Sequence, residues 1–547
     1  MSLARLRAAP IFICLSLVAA GVAQVPASSS ARTYYVDCGA PAAQESLHSL
    51  PEVNELHLLP GDTILFKRGS VCAGTLHPQG SGRDGALIRI GAFGEGALPQ
   101  IKAAATDDAA LHLLNQEFWE IGSLDLSGGR TYGVFISADA GVQHHIYLHD
   151  LRVHDVRGPL KHKESGLVVI KSMNKQASFD DVQLDGILAS ATTQWSGIFV
   201  AGAEHVRVLN SMAHDVQGDG IVVFNSTDAL IAHSVAWHTG MQHAQTIGTP
   251  NAIWTWRCTD CTVEDNEAFL TDSPGVDGGA FDIDFGNTRN TVRRNFGHDT
   301  AGYCVSVFGA FGPTTGSVIA DNLCINNGLS PRLAQRQGAL LLMTWQNGSI
   351  DGLDVHGNRI DWQPSGDTPA VQRGTELHEQ EVTMHDNEIW STAPTFVNPA
   401  LKFTGEHNRF EIAAPTSTPF GLTATRTPGW RLVAHVAAMT PLDDRMRALL
   451  VSLKSAAMQF GHAGLEVSLE GNVPAMAEDW ALEADGIAVD TRSGNGAFSL
   501  ELISPQDKVV HHWQEVPGPV ELGLALRQTV GPPVFGHLDI EKVPATD

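Results

Sequence analysis

The chain has 547 residues, 60 of them acidic against 35 basic, with a formal net charge of −25 and only 17% charged residues. This balance excludes the clustered Lys and Arg by which proteins hold nucleic acid or anionic membranes, and it weighs more weakly against a polyanionic glycan, which a local basic groove or bound calcium can still accommodate. The length leaves room for more than one domain and for a large core.

At the amino end Arg5 and Arg7 precede an apolar run from Ile11 to Ala20 and the small-residue site Gly21-Val22-Ala23. This is the layout of a secretory signal peptide, so residues 1–23 are expected to be removed and the mature chain exported, extracellular or periplasmic. The run is too short to span a membrane, and no later stretch reaches the ~18 continuous apolar residues that a span needs. Beyond Cys14 there are six cysteines, an even number that suits an oxidising compartment. Cys38 and Cys72 both fall in the amino-terminal region and are candidates to pair, although spacing alone does not fix connectivity. Cys258-Thr-Asp-Cys261 has no second CxxC and no thioredoxin-like strand-to-helix start around it, so it reads as a structural disulfide or two buried thiols.

From Gly133 onward a glycine followed by a short apolar strand recurs, at Gly133, Gly166, Gly197, Gly220, Gly279, Gly302 and Gly338. Successive glycines lie 33, 31, 23, 59, 23 and 36 residues apart, and the gap of 59 holds one further coil around Ala252-Ile253-Trp254. A second signal alternates with the first, a β stretch running into a polar turn marked by Asn210, Asn266, Asn295, Asn322, Asn358 and Asn387. Asn at such a turn can adopt a left-handed conformation or bond the backbone locally. A repeat whose unit cannot bury its apolar side alone predicts a solenoid of parallel strands, and its irregular coil lengths predict loops inserted on one side, where solenoids often bind ligands. Ile198, Val200, Ile221, Val223, Phe281, Ile283 and Phe285 are expected to point into the core.

Residues 413–429, rich in Pro, Thr and Ala, interrupt the coil pattern and read as a linker. The segment 430–547 then reads as strand, helix, strand, hairpin and closing helix, an order that resembles a thioredoxin-like α/β domain. No cysteine follows Cys324, so thiol redox chemistry is excluded for that segment, which leaves recognition or packing.

The segments YYVDCG, LLPGDTILFKRGSVCAGTL and SGRDGALIRIGAFGEGALPQI resemble the amino-terminal cap and first coils of secreted right-handed parallel β-helix proteins of the pectin-lyase-like superfamily. The block from Ile253 to Gly302 is similar to a subgroup classed with glycoside hydrolases. The resemblance covers roughly Thr33 to Ile412 and implies a mainly β architecture over 24–412. It does not fix a reaction, because the superfamily holds lyases, hydrolases, esterases, epimerases and adhesins, and no pectate-lyase or polygalacturonase signature is present to transfer.

The chemistry therefore rests on the residues. Asp282 and Asp284 alternate with Phe281, Ile283 and Phe285, so both carboxylates are expected on the outer face of one strand. Like charges so placed repel and add nothing to a core, which points to a purpose. Asp277, His298 and Asp299 are further candidate acid or base groups, although His298-Asp299 also resembles the turn at His214-Asp215. Trp254, Trp256, Arg257 and His243 are candidate substrate contacts, since aromatic faces stack on sugars, while a tryptophan in a strand can equally cap a core. His238 lies in the same insertion as His243.

These residues predict a monomeric secreted glycoside hydrolase acting on a polysaccharide or oligosaccharide along the outer sheet. No cofactor or metal ligand set is read, though the paired carboxylates leave room for calcium. A non-catalytic glycan-binding protein is the alternative, as is a polysaccharide lyase using Arg257, Arg289, Arg293 or Arg294. If Asp282 and Asp284 alone are the catalytic pair, their spacing of ~6.6 Å along a strand predicts inversion.

Overall fold

The structure, a computed structural model, describes residues 31–412 except 40–45, 242–246, 329, 331–332, 334–337, 365 and 375; beyond these it describes 430–435, 465–467, 488–490 and 499–513 without 505 and 507. The expected signal segment and linker lie outside the described residues. Among the described residues no helix is long and apolar enough to cross a membrane.

Residues 33–412 wind through three long parallel sheets in sequence order, most coils contributing a strand to each, with a short three-stranded sheet of Pro313–Thr315, Ser349–Asp351 and Glu379–Gln380 beside them. Two sheets have thirteen strands and the third has ten. The glycine-led strands of the repeat all fall in the ten-stranded sheet, and Ile253–Trp256 fills the long gap between Ile221–Phe224 and Phe281–Ile283. Register is maintained from coil to coil: Ile198, Ile221, Ile253, Phe281, Val305, Leu340 and Val371 stack in one row and are buried in one core. Parallel stacking satisfies the backbone ladder while converting each coil's apolar face into continuous core. Glycine leads these strands because the coils approach closely there. A Cβ on Gly197 would stand 2.6 Å from the Ala213 Cβ, and one on Gly279 would stand 2.1 Å from the Tyr303 ring.

One inward assignment is corrected. The strand Phe281–Ile283 ends before Phe285, so alternation stops and the Phe285 ring turns outward, packing edge-on against Trp256, Phe311 and Trp345.

The asparagine signal becomes a side-chain ladder. Asn266, Asn295, Asn322, Asn358 and Asn387 are buried, and each Nδ2 donates to the Oδ1 of the next, over 3.1, 3.0, 2.9 and 2.9 Å, with Asn387 donating to Asn408 over 2.9 Å. The left-handed residue is the one before each of these positions, as at Asp265, Arg294, Asp321 and Asp386. Asn210 is itself left-handed (φ 50°), and the ladder position in its coil belongs to Ser211, whose backbone N–H donates to Ser234 Oγ, with the Ser234 N–H donating to Asn266 Oδ1. Asn322→Ala would leave the Asn295 side-chain and backbone N–H groups without this acceptor in a dry site. We expect a stability loss of about 2–3 kcal/mol, measured by urea denaturation, with no recovery in Asn322→Asp, whose second oxygen would face the Val292 carbonyl and Asn358 Oδ1, both acceptors of the Asn322 amide.

At the amino end, the five-residue helix Leu50–Asn54 buries Leu50 and Val53 against the first coils, and Cys38–Cys72 ties the cap to the stack. Cys258–Cys261 and Cys304–Cys324 complete three disulfides, so the CxxC is a disulfide rather than a pair of thiols. Farther along, Trp430–His435 pairs antiparallel with Ser499–Ile503, which forms the expected hairpin with Val509–Trp513. Leu465–Val467 and Ala488–Asp490 run parallel to Trp430–His435, the second of these being a strand not expected from the sequence. The two expected helices lie outside the described residues.

Candidate functional site

The loops that connect the second thirteen-stranded sheet to the ten-stranded sheet vary widely in length, and five of their residues, Lys163, Thr249, Asn251, Val276 and Asp277, line the cavity on the outer face of the latter. Under them that face carries an apolar row in register, Phe135, Val169, Phe199, Val222 and Trp254. At the next coil the row changes character: Trp254 is followed by Asp282, then Ser306, then Leu341. A carboxyl inserted in an apolar row must find polar partners or lose its charge.

Asp282 finds partners. It is 1% exposed; Ser306 Oγ donates to its Oδ1 over 2.5 Å and Asn251 Nδ2 donates to its Oδ2 over 3.0 Å. Asn251 is the hub of a wider network. Its Oδ1 accepts from the Tyr303 hydroxyl (3.0 Å) and the Gly279 N–H (2.9 Å), and its own backbone N–H donates to Asp219 Oδ1 over 3.1 Å. Asp219 Oδ2 accepts from the Trp195 indole over 2.5 Å. Burial raises the Asp219 carboxyl to about 6, against the opposing pull of Lys163 and these hydrogen bonds. The Lys163 ammonium stands 5.3 Å over the Trp195 ring.

Asp284 follows the end of the strand and faces a cavity of about 350 Å³. Trp254, Trp256, Phe285, Phe308 and Trp345 supply its apolar walls, and Lys163, Asn251 and Asp277 its polar side. Asp284 is half-buried, and the Phe285 N–H donates to its Oδ1 over 2.8 Å. Desolvation pushes the Asp284 carboxyl well above the usual carboxylate range; Asp277 and Asp219 add to the rise, while the Phe285 N–H and Lys163 oppose it. Asp282 is raised as well, first by burial and then by Asp284, with Asp277 and Asp219 adding and Ser306 opposing. Asp277 is buried and held in the left-handed region at φ 70° on the loop beside the cavity. A half-buried carboxyl that keeps its proton, set beside a second carboxylate and aromatic walls, can donate that proton to a bound oxygen.

The structure thus brings Asp277, Asp282, Asp284, Trp254 and Trp256 together but separates their roles. Asp282 stands behind the cavity wall, bonded to Ser306 and Asn251, so the strand-spacing argument for inversion does not describe the carboxyls that line the cavity, Asp277 and Asp284. Arg257, left-handed at φ 48°, stacks its guanidinium on Trp256 and Phe285 at 5.5 and 5.8 Å and borders a second groove of about 580 Å³ with Lys171 and Lys175.

The structure does not bring His298 and Asp299 to this cavity. They lie on the second thirteen-stranded sheet, where His298 is buried with Nδ1 2.8 Å from Asp299 Oδ2 and Nε2 3.0 Å from Glu267 Oε1. The same Nδ1-to-Asp contact, 2.7 Å, recurs at His214-Asp215, so the resemblance between these turns is structural. His238 pairs with Asp215 at 3.3 Å. His243 lies outside the described residues. Arg289, Arg293 and Arg294 are spent in ion pairs with Asp260, Glu264 and Asp265, two of them beside or within the strand Thr291–Arg293 of the first thirteen-stranded sheet. Sequence reasoning missed Asp219, Asn251 and Lys163, whose loops carry no periodic signal.

The family described as right handed beta helix region matches residues 165–360. No curated protein sequence matches the chain. Among solved structures, the chain is similar to a GH136 lacto-N-biosidase from Eubacterium ramulus, at 20% identity and a TM-score of 0.50, over 70% of this chain and 68% of that one. It is also similar to the A-module of a mannuronan C-5 epimerase from Azotobacter vinelandii, at 15% identity and a TM-score of 0.44, over 65% of this chain and 91% of that one. With the three parallel sheets, the family match and the likeness to the lacto-N-biosidase place the body of the chain in the right-handed parallel β-helix, pectin-lyase-like fold.

Proposed function

We propose that the protein is a secreted glycoside hydrolase whose reaction centre is the cavity bounded by Asp277 and Asp284. The observation that carries this reading is the Asp284 carboxyl, held above the usual carboxylate range on the wall of a cavity with aromatic sides. A solved neighbour of the same fold is named as a lacto-N-biosidase, which supports a glycan as the ligand. Asp284 protonates the leaving glycosidic oxygen, and Asp277, on the same cavity, acts as base toward water or as nucleophile. Trp254, Trp256 and Trp345 offer faces and edges to sugar rings. Asp282 is a positioning residue: buried, bonded to Ser306 and Asn251, it fixes the outer row from which Asp284 emerges. The segment 430–547 is read as a thioredoxin-like packing or recognition module without redox chemistry.

The reading is tested by incubating the mature chain with a panel of neutral and acidic glycans and following reducing ends and ultraviolet-absorbing unsaturated sugars together. Reducing ends without unsaturation are expected. Unsaturated products would make it a lyase with Lys163 as the cation of the cavity, and binding without either product would make it a glycan-binding protein.

A further inference from the structure

Away from the cavity, the first thirteen-stranded sheet ends with the strands Asp354–His356 and Thr383–His385, paired so that Asp354 stands opposite Thr383 and His356 opposite His385. Three outward side chains converge there. His385 Nε2 lies 3.2 Å from Asp354 Oδ1, and His356 Nδ1 lies 3.2 Å from Asp354 Oδ2. The two imidazoles stack at 4.9 Å with 11° between planes, and one donor atom from each of the three residues falls within 4.8 Å of the others. All three are half-buried.

Independent features orient the group. His385 Nδ1 is 2.7 Å from Asp386 Oδ2, which fixes the ring so that Nε2 faces Asp354, the carboxylate–histidine arrangement that stands behind metal-bound imidazoles. Thr383 Oγ1 donates to Asp354 Oδ1 over 2.8 Å and holds the carboxylate. His356 Nδ1 is buried and makes no aligned hydrogen bond, despite its proximity to Asp354. Donor atoms bonded at zinc-like distances to one tetrahedral ion stand about 3.3 Å apart, so the observed separations suit a shared ion as well as a shared proton.

We infer that Asp354, His356 and His385 form a site for one divalent transition-metal ion of the zinc class, with a fourth position open to water. Two imidazoles and one carboxylate match a borderline metal, whereas calcium would call for an oxygen cage. The ion clips the last two strands of the sheet, beyond which the described residues add the isolated bridge between Thr383 and Thr404. His407 Nδ1, 3.7 Å from Asp386 Oδ1, is a further imidazole facing that carboxylate.

The test uses the full chain after chelator treatment, titrated with zinc chloride by calorimetry. The wild type is expected to bind one equivalent more than a variant carrying both His356→Ala and His385→Ala, and its thermal midpoint is expected to rise with zinc where the variant's does not. Asp386→Asn weakens the same site about 10–100-fold. Cobalt loading gives the wild type a visible absorption band of a four-coordinate site that the double variant lacks. Circular dichroism checks folding, and if the double variant is unfolded, His356→Gln is read in its place. Equal zinc stoichiometry in the wild type and a folded variant overturns the site, as does a cobalt spectrum unchanged by either substitution.

Discussion

Asp284→Asn is expected to lower turnover of any responding glycan by at least about 10²-fold while the thermal midpoint at neutral pH stays level or rises. Losing a general acid costs about 10²–10⁴ in rate. The sign of the stability effect follows from the direction of the shift. Asp284 is raised on folding, so its contribution to stability is fullest below the ordinary carboxylate pKa and is lost as pH climbs through the raised value. Asparagine removes that loss. The wild-type rate should fall on the alkaline side as Asp284 gives up its proton, and the residual activity of Asp284→Asn should lack that limb. Asp282→Asn replaces a buried carboxyl that is itself raised, so it should leave stability near neutral pH unchanged; its amide can still accept from Asn251 and meet Ser306. Full activity in Asp284→Asn, with its alkaline limb intact, would remove the cavity from the account. Stability lost in either variant, and restored to the wild type alone by calcium, would make the carboxyls ligands instead.

His298→Ala is expected to be the most destabilising single change outside the cavity, by about 3–5 kcal/mol, because it strips the partner from two carboxylates in a dry site. Burial by itself would lower the His298 pKa, but Asp299 and Glu267 outweigh it and the ring is held above its usual value. The imidazolium's stabilisation is therefore fully present below about pH 6.5 and fades as pH rises through the folded value. Chemical denaturation at a series of pH values checks this: the gap between wild type and His298→Ala should narrow toward alkaline pH. Turnover per folded molecule should be unchanged, since the ring sits on a different sheet from the cavity. A stable variant with impaired turnover would return His298 to the reaction centre.

The coils were legible because two local requirements repeat in the chain. Glycine leads most strands of the ten-stranded sheet where the next coil presses close, and an amide sits at the buried corners from Asn266 to Asn387. Asp282 was legible as a carboxylate out of place in an apolar strand. The fine register was less so: Asn210 and Ser211 are adjacent polar residues, and only the stack shows that the hydroxyl takes the ladder position while the asparagine turns the chain. Phe285 obeys the alternation in sequence and escapes it in space, because nothing local marks Ile283 as the last strand residue. Asp219, Asn251 and Lys163 come from three different loops whose contacts arise only from stacking, so no spacing along the chain announces them. His298 was visible as a titratable group near Asp282 in sequence, yet the coil carries it around to another sheet.

The most direct test of the central claim is cleavage of a responding glycan in ¹⁸O-labelled water, quenched before the anomeric oxygen exchanges spontaneously and read by mass spectrometry. One labelled oxygen per broken bond at the new reducing end is predicted for the wild type, with almost none formed by Asp284→Asn. Unlabelled unsaturated fragments from the wild type, or undiminished labelling by Asp284→Asn, would contradict it.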